Sequence, residues 1–199
     1  PSRWAVFLPG ALLLTAFLGA RWILEGTLGH PNPQRAMDIQ IFTQAEVTWH
    51  YIALSLIPAG QSIFHDYPET GLTLRSISAI LGLFVLSIYA WRKRRSDPVP
   101  VLGFVLFILF LAPTFWIPLK ETMAEHRTYL SLLGASLLVA WGLSAFRAPI
   151  QRTVGTTFLI GLLMTCVWRT HAWDTEVSLW ADAAAKSPES PEAHYGHGE

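Results

Sequence analysis

The chain has 199 residues, of which 52% are hydrophobic, 13% aromatic and only 14% charged, against about 25% charged residues in a soluble domain. Its fourteen basic and fourteen acidic side chains cancel, which excludes a nucleic-acid binder driven by net positive charge. The charges also cluster, leaving uncharged runs at 4–20, 76–91, 99–119, 128–146 and 153–168. Each approaches the roughly 17–25 residues of a membrane span, which excludes a soluble globular enzyme and predicts an all-α, polytopic transmembrane bundle.

In chain order, the first span runs over about 4–24, with Arg3 before it and Arg21 and Trp22 near its far end. The next uncharged stretch, 47–64, contains His50, Ser55, Gln61 and Ser62 and is broken by Pro58. Only about eleven residues of it, 49–59, are strongly apolar, which suits an interfacial or re-entrant helix. Counting it as a sixth span would bring Arg21 and Arg35 inside and move Arg3 outside, and the charge balance alone does not decide between the two. The second span, 72–91, stops at Arg92, Lys93, Arg94 and Arg95, and Asp97-Pro98-Val99-Pro100 turns the chain into the third, which reaches Pro118. The fourth covers 129–146, a short basic hairpin holds Arg147 and Arg152, and the fifth ends near Trp168.

Short loops rich in Lys and Arg stay cytoplasmic. The basic tetrad at 92–95 and the 147–152 hairpin lie on one side two spans apart, so five spans place the tail outside. Trp residues at span ends fit interfacial anchoring. The membrane domain is read as 1–170. From 171 to 199 the character changes: 174–186 has the pattern of an amphipathic helix, Ser187-Pro188 ends it, and a second helix starts at Pro191. A helix ending in Pro, followed by Pro-x-Ala-x-Tyr-x-x-Gly, has the cadence of a tetratricopeptide repeat, although one copy cannot bury its own face.

Three stretches taken together resemble one family. The first is Thr43-Gln44, His50-Tyr51-Ile52-Ala53-Leu54-Ser55-Leu56-Ile57-Pro58 and His65-Asp66-Tyr67-Pro68. The second is Leu111-Ala112-Pro113-Thr114, Ile117-Pro118-Leu119 and Ala124-Glu125-His126-Arg127-Thr128-Tyr129-Leu130. The third is Trp173, Leu179-Trp180 and the segment 187–198. They resemble the transmembrane and tetratricopeptide-repeat proteins, type-C glycosyltransferases that include protein O-mannosyltransferases and use lipid-phosphate-linked sugars. The Glu-His-Arg-x-Tyr-Leu element is the most specific part. The resemblance implies a bacterial inner-membrane protein with an extracytoplasmic repeat region for a protein acceptor or partner subunits. It also implies a juxtamembrane helix in an outer loop, a polyprenyl-phosphate sugar and surrounding membrane lipids as ligands, and a catalytic acid before Pro1. On that reading the chain is the second half of the membrane domain.

The candidate site residues follow. Arg127, with Lys120, Glu125 and His126, is expected to bind the donor phosphate, since a guanidinium matches phosphate oxygens bidentately. Glu125 would hold that guanidinium or assist acid–base chemistry; the bland reading is an interfacial ion pair that pins the turn. His65 and Asp66 are candidates for a headgroup pocket with Lys120, or for a solvated turn. His50, within an apolar stretch, is either a pigment or haem ligand or a hydrogen-bonding core residue. Trp180 is expected to pack between repeat helices. Cys166 stands alone, and His194 and His197 have no third ligand, so no disulfide, metal site or cofactor is expected. No Gly-rich phosphate loop or nucleophile elbow occurs. The competing function is a non-catalytic scaffold or accessory subunit packed against a larger membrane complex; a transporter is disfavoured, because no span carries the buried acid or base of ion coupling.

Overall fold

The computed structural model describes residues 15, 16, 19, 20 and 35–198; most of the expected first span lies outside the described residues. Among those residues the chain is helical, and its only β pairing is one isolated bridge between His65 and Met123. In chain order the helices are α1 (Met37–Leu56), α2 (Leu74–Lys93), α3 (Pro98–Trp116), α4 (Ser131–Ser144), α5 (Ala148–Thr170), α6 (Glu176–Lys186) and α7 (Pro191–His197). Short 3-10 turns at Glu125–Thr128 and His171–Trp173 precede α4 and α6.

Local chemistry sets the helix starts. Thr73 and Ser76 cap α2 reciprocally, each side chain accepting the other's backbone N–H at 3.1 and 2.9 Å. Asp97 accepts from Val99 N at 3.2 Å ahead of α3, whose first turn holds Pro98, a residue pre-organised for that position. Thr175 and Ser178 repeat the reciprocal cap on α6, both bonds at 3.0 Å.

Three helical stretches are long and apolar enough to cross a membrane: α2, α3, and α5 with the turn that continues it to Trp173. The fourth expected span is a helix of only fourteen residues, α4, about 21 Å long at 1.5 Å per residue. Helices α3 and α4 form the most extensive pair, and small residues permit their approach. A Cβ on Gly134 would stand 2.3 Å from the Gly103 carbonyl oxygen and 2.5 Å from the Phe107 nitrogen. Lipid removes the hydrophobic drive between helices, so close backbone packing at small residues takes its place.

Of the segment expected to lie at the interface over 49–59, residues 49–56 form the last part of a longer helix and 57–59 lie beyond its end. α1 begins at Met37, twelve residues earlier, because the polar residues that read as loop are hydrogen-bonded inside the fold. Gln40, Thr43, Gln44, Glu46 and Thr48 are all buried. Glu46 lies beside Tyr67 (3.3 Å), and the His50 and His65 rings are 6.4 Å apart, so the chain leaves α1 and comes back to the end it started from. The core combines Val47 and Tyr51 of α1, Phe107 and Leu111 of α3, Met123, and Ala135 of α4.

Candidate functional site

The loop after α3 carries the Glu-His-Arg element, and α1 is what holds that loop. Gln44 Nε2 donates to Thr122 O at 2.8 Å, and the Tyr51 hydroxyl donates to Ala124 O at 3.0 Å while accepting from Ala124 N at 2.9 Å. Burial pushes the Tyr51 phenol above its ordinary pKa, which keeps it able to donate. Gln40 Nε2 caps the Thr114 carbonyl, one of the acceptors left open in the last turn of α3. Arg35, almost wholly buried, ties four residues together: it donates to Gln40 Oε1 (2.7 Å), Thr122 Oγ1 (3.1 Å), Lys120 O (3.5 Å) and Glu69 Oε1 (3.0 Å).

On this frame the expected site residues separate. Glu125 pairs with His65, not with Arg127: His65 Nε2 and Glu125 Oε1 are 2.7 Å apart, and the same oxygen accepts Ser62 N at 2.7 Å. The bridge between His65 and Met123 lines the two loops up for that contact. Arg127 turns instead to Glu121, donating to its carbonyl at 3.0 Å, with the carboxylate 3.7 Å away. The Arg127 Nε is buried and has no hydrogen-bond partner. Lys120 and His126 are exposed, as is Asp66, whose backbone N–H reaches Ser187 Oγ at 3.5 Å. His50 is held below its ordinary pKa, by burial first and then by His65 and Arg75; its ring meets Tyr67 edge-on at 5.8 Å.

Between α4 and α5 the helices stand apart and leave a groove. Its apolar length, about 490 Å³, is lined by Leu54, Leu132, Ala135, Val139, Leu143, Gly155, Phe158 and Leu162. It adjoins a hollow of about 430 Å³ that shares Pro58, Gln61 and Leu162 with it and is lined further by Glu125, Tyr129, Thr165, Arg169 and Trp173. An apolar trough ending in a polar mouth can take a molecule that has a hydrocarbon chain and a polar head.

The tail is bonded to two residues of that mouth, Arg169 and Gln61. Asp182 of α6 accepts from Arg169 at 2.7 Å and from Lys186 at 2.8 Å, and Lys186 Nζ also donates to the Gln61 carbonyl. Burial alone would raise the Asp182 pKa, but the hydrogen bonds from Lys186 and Arg169 outweigh it and hold the carboxyl below its ordinary value. Ile63 and Phe64 of the loop after α1 pack on Ala183, Ala184 and Ala193, beside Trp180. Trp180 sits between α6 and α7, where a Cβ on Gly196 would fall 2.3 Å from its ring. In the sequence, Glu125 and His65 stood out separately, Gln44 only within a stretch of the resemblance, and Arg35, Gln40, Arg169 and Asp182 not as site residues. The signal for Gln40 and Gln44 was polar side chains at helical spacing, 40, 44 and 48, ahead of an apolar stretch; Arg35 lies outside that pattern.

No protein family, curated protein or solved structure matches this chain.

Proposed function

We propose that this chain is part of an integral membrane protein of the lipid-phosphate-sugar glycosyltransferase type, with the α4–α5 groove taking the polyprenyl chain of the donor. The observation that carries the reading is the continuity of an apolar trough with a polar mouth at Gln61, Glu125 and Arg169. The turn Glu125–Thr128 supplies the mouth's carboxylate and carries Arg127, whose buried Nε has no hydrogen-bond partner among the described residues and would donate to a phosphate oxygen after its guanidinium turns from Glu121 toward the mouth. Lys120 and His126, exposed beside it, add donors for the same anion. In this reading five spans cross a bacterial inner membrane, the 92–95 turn faces the cytoplasm, and the α6–α7 hairpin begins an extracytoplasmic repeat region that presents the protein acceptor.

The test uses the full chain in nanodiscs with a polyprenyl monophosphate, read by native mass spectrometry. The lipid should be retained, and Gly155→Trp, which fills the trough, should lower retention about tenfold, as should Arg127→Ala by losing a charge-assisted contact. Equal retention by all three proteins would remove the donor reading. In the intact protein, Arg127→Ala should cost about 10- to 100-fold in sugar transfer, and Arg127→Lys should recover only part, because one ammonium cannot make the planar two-point contact. Orientation is tested in a Cys166→Ser background: a cysteine at the exposed Glu189, and not one at Ser96, should react with an impermeant reagent added outside.

A second reading, a non-catalytic scaffold or accessory subunit, is favoured by one observation. Both ionisable groups at the mouth are already engaged within the chain, Glu125 by His65 and Arg169 by Asp182. Carrier retention without transfer by the intact protein would select it.

A further inference from the structure

A separate hollow of about 430 Å³ lies between α1 and α2, at the end of α2 opposite the basic 92–95 turn, and shares no lining residue with the groove. Its walls are Glu46, Trp49 and His50 of α1, and Arg75, Ser78 and Ala79 of α2, with Ala53 below. Glu46 is a buried carboxylate, its side chain 3% exposed. One oxygen, Oε2, is ion-paired with Arg75 Nε at 3.1 Å and accepts from the Tyr67 hydroxyl at 3.3 Å, while Oε1 has no hydrogen-bond partner among the described residues. A buried carboxylate oxygen without a donor is costly and calls for one. Arg75, by contrast, is 72% exposed. Its Nη2 donates to the Tyr67 hydroxyl at 3.2 Å, so the hollow presents one carboxylate oxygen that lacks a donor and an exposed guanidinium whose Nη1 is open to an anion.

Its surroundings specify what kind of molecule could supply both partners. Ser78 stands at the top of a stripe at helical spacing that continues through Leu81, Val85 and Ile88, all exposed apolar side chains of a helix long enough to span a membrane. A ligand seated beside Ser78 would have hydrocarbon directly beneath it. We propose that this hollow is a binding site for a zwitterionic aminophospholipid, with the ammonium of a phosphoethanolamine headgroup on Glu46, its phosphate on Arg75 and its acyl chains along the α2 stripe.

The chemistry selects within lipid classes. A primary ammonium brings three N–H donors and can satisfy the open carboxylate oxygen. A trimethylammonium has none to offer. An anionic headgroup would satisfy Arg75 but leave Glu46 without a donor and set two negative groups side by side. The terminal torsion of Glu is soft, so a small rotation exchanges its two oxygens. Arg75 can then pass from Glu46 to the phosphate as the ammonium takes its place.

The experiment reconstitutes the full chain into nanodiscs holding equal amounts of phosphatidylethanolamine, phosphatidylcholine and phosphatidylglycerol, extracts it in mild detergent and measures the co-purifying lipid by mass spectrometry. Phosphatidylethanolamine should be enriched about tenfold over the other two. Glu46→Gln should abolish its preference over phosphatidylcholine. Arg75→Gln should lower retained lipid about tenfold, and Ser78→Trp, which fills the hollow from an exposed position and leaves the Glu46–Arg75 pair in place, should do the same where the variants at Glu46 or Arg75 do not fold. Equal retention of the three lipids, preference for phosphatidylglycerol, or unchanged enrichment in Arg75→Gln would overturn the assignment. Release of the lipid by equimolar soluble phosphoethanolamine or by inorganic phosphate would mark a soluble-ligand site and overturn it as well. Polyprenyl phosphate binding in the groove is measured with different variants, so either proposal can fail alone.

Discussion

Helix α1 buries eight of its twenty residues, five of them Gln, Thr or Glu, whereas α5 buries only Arg169 among twenty-three. By hydropathy the order would be reversed, since α5 belongs to the stretches apolar enough to cross a membrane and α1 does not. The contrast follows from the solvent. In water, apolar surface is driven inward. In lipid that drive vanishes, while every polar group must still find a partner. A helix such as α5 can leave Leu159, Leu163 and Met164 more than 60% exposed at no cost, and α1 must turn its glutamines and threonines onto carbonyls of the loops around it.

The largest break in this comparison should come where backbones touch. Gly134→Leu would drive a side chain into the Gly103 and Phe107 backbones and should cost about 3 kcal/mol or more, read as loss of the folded state in detergent unfolding followed by Trp fluorescence. Gly161→Leu on α5, where nothing lies within 4 Å, should stay within about 0.5 kcal/mol. Similar losses in the two variants would show that α5 is as tightly held as the α3–α4 pair.

Next in size is the polar anchor. Arg35→Met removes the donor shared by Gln40, Thr122 and Glu69 and should destabilise by about 3 kcal/mol, although it makes the chain more hydrophobic. If hydropathy governed stability here, the variant would be neutral or more stable in the same unfolding measurement.

A smaller effect, about 1 kcal/mol after allowance for solvent access, is expected from Asp182→Asn at the contact between α6 and Arg169. The pH dependence has a definite sign. The Asp182 pKa is lower folded than its ordinary 3.8, so its contribution is fully present above about pH 3.8 and is lost as pH falls through the folded value. Protease accessibility of α6 and α7 should rise only in that acid range in the wild type, and at neutral pH in Asp182→Asn. His50 works in the same direction in a higher window: held below its ordinary 6.5, by burial first, it favours the neutral ring, so stability falls as pH drops below 6.5 toward the folded value.

The smallest effect belongs to the lipid-facing surface. Leu163→Ala on α5, at a side chain 64% exposed, should change stability by less than about 0.5 kcal/mol in bicelles. A cost of 2 kcal/mol or more would mean that a partner or a further helix covers α5 in the membrane.

From the sequence alone, the membrane class was legible because charge-free runs of this length have one comfortable solvent. The basic turns and the turn after Ser187 could be read because each acts over a few neighbouring residues, whereas the capping pairs at Thr73 and Ser76 and at Thr175 and Ser178 came only with the structure. The start of α1 could not. Gln40, Gln44 and Glu46 look like loop until Thr114, Thr122 and Tyr67 are placed beside them, and those partners lie up to 78 residues away. The same distance hid the pairing of Glu125 with His65, sixty residues earlier, and left Arg127 to be paired with its sequence neighbour Glu125 when it bonds Glu121. Local patterns determine which segments meet lipid. Only the tertiary structure decides which polar side chains satisfy one another, since that is a matter of geometry between loops that periodicity does not encode.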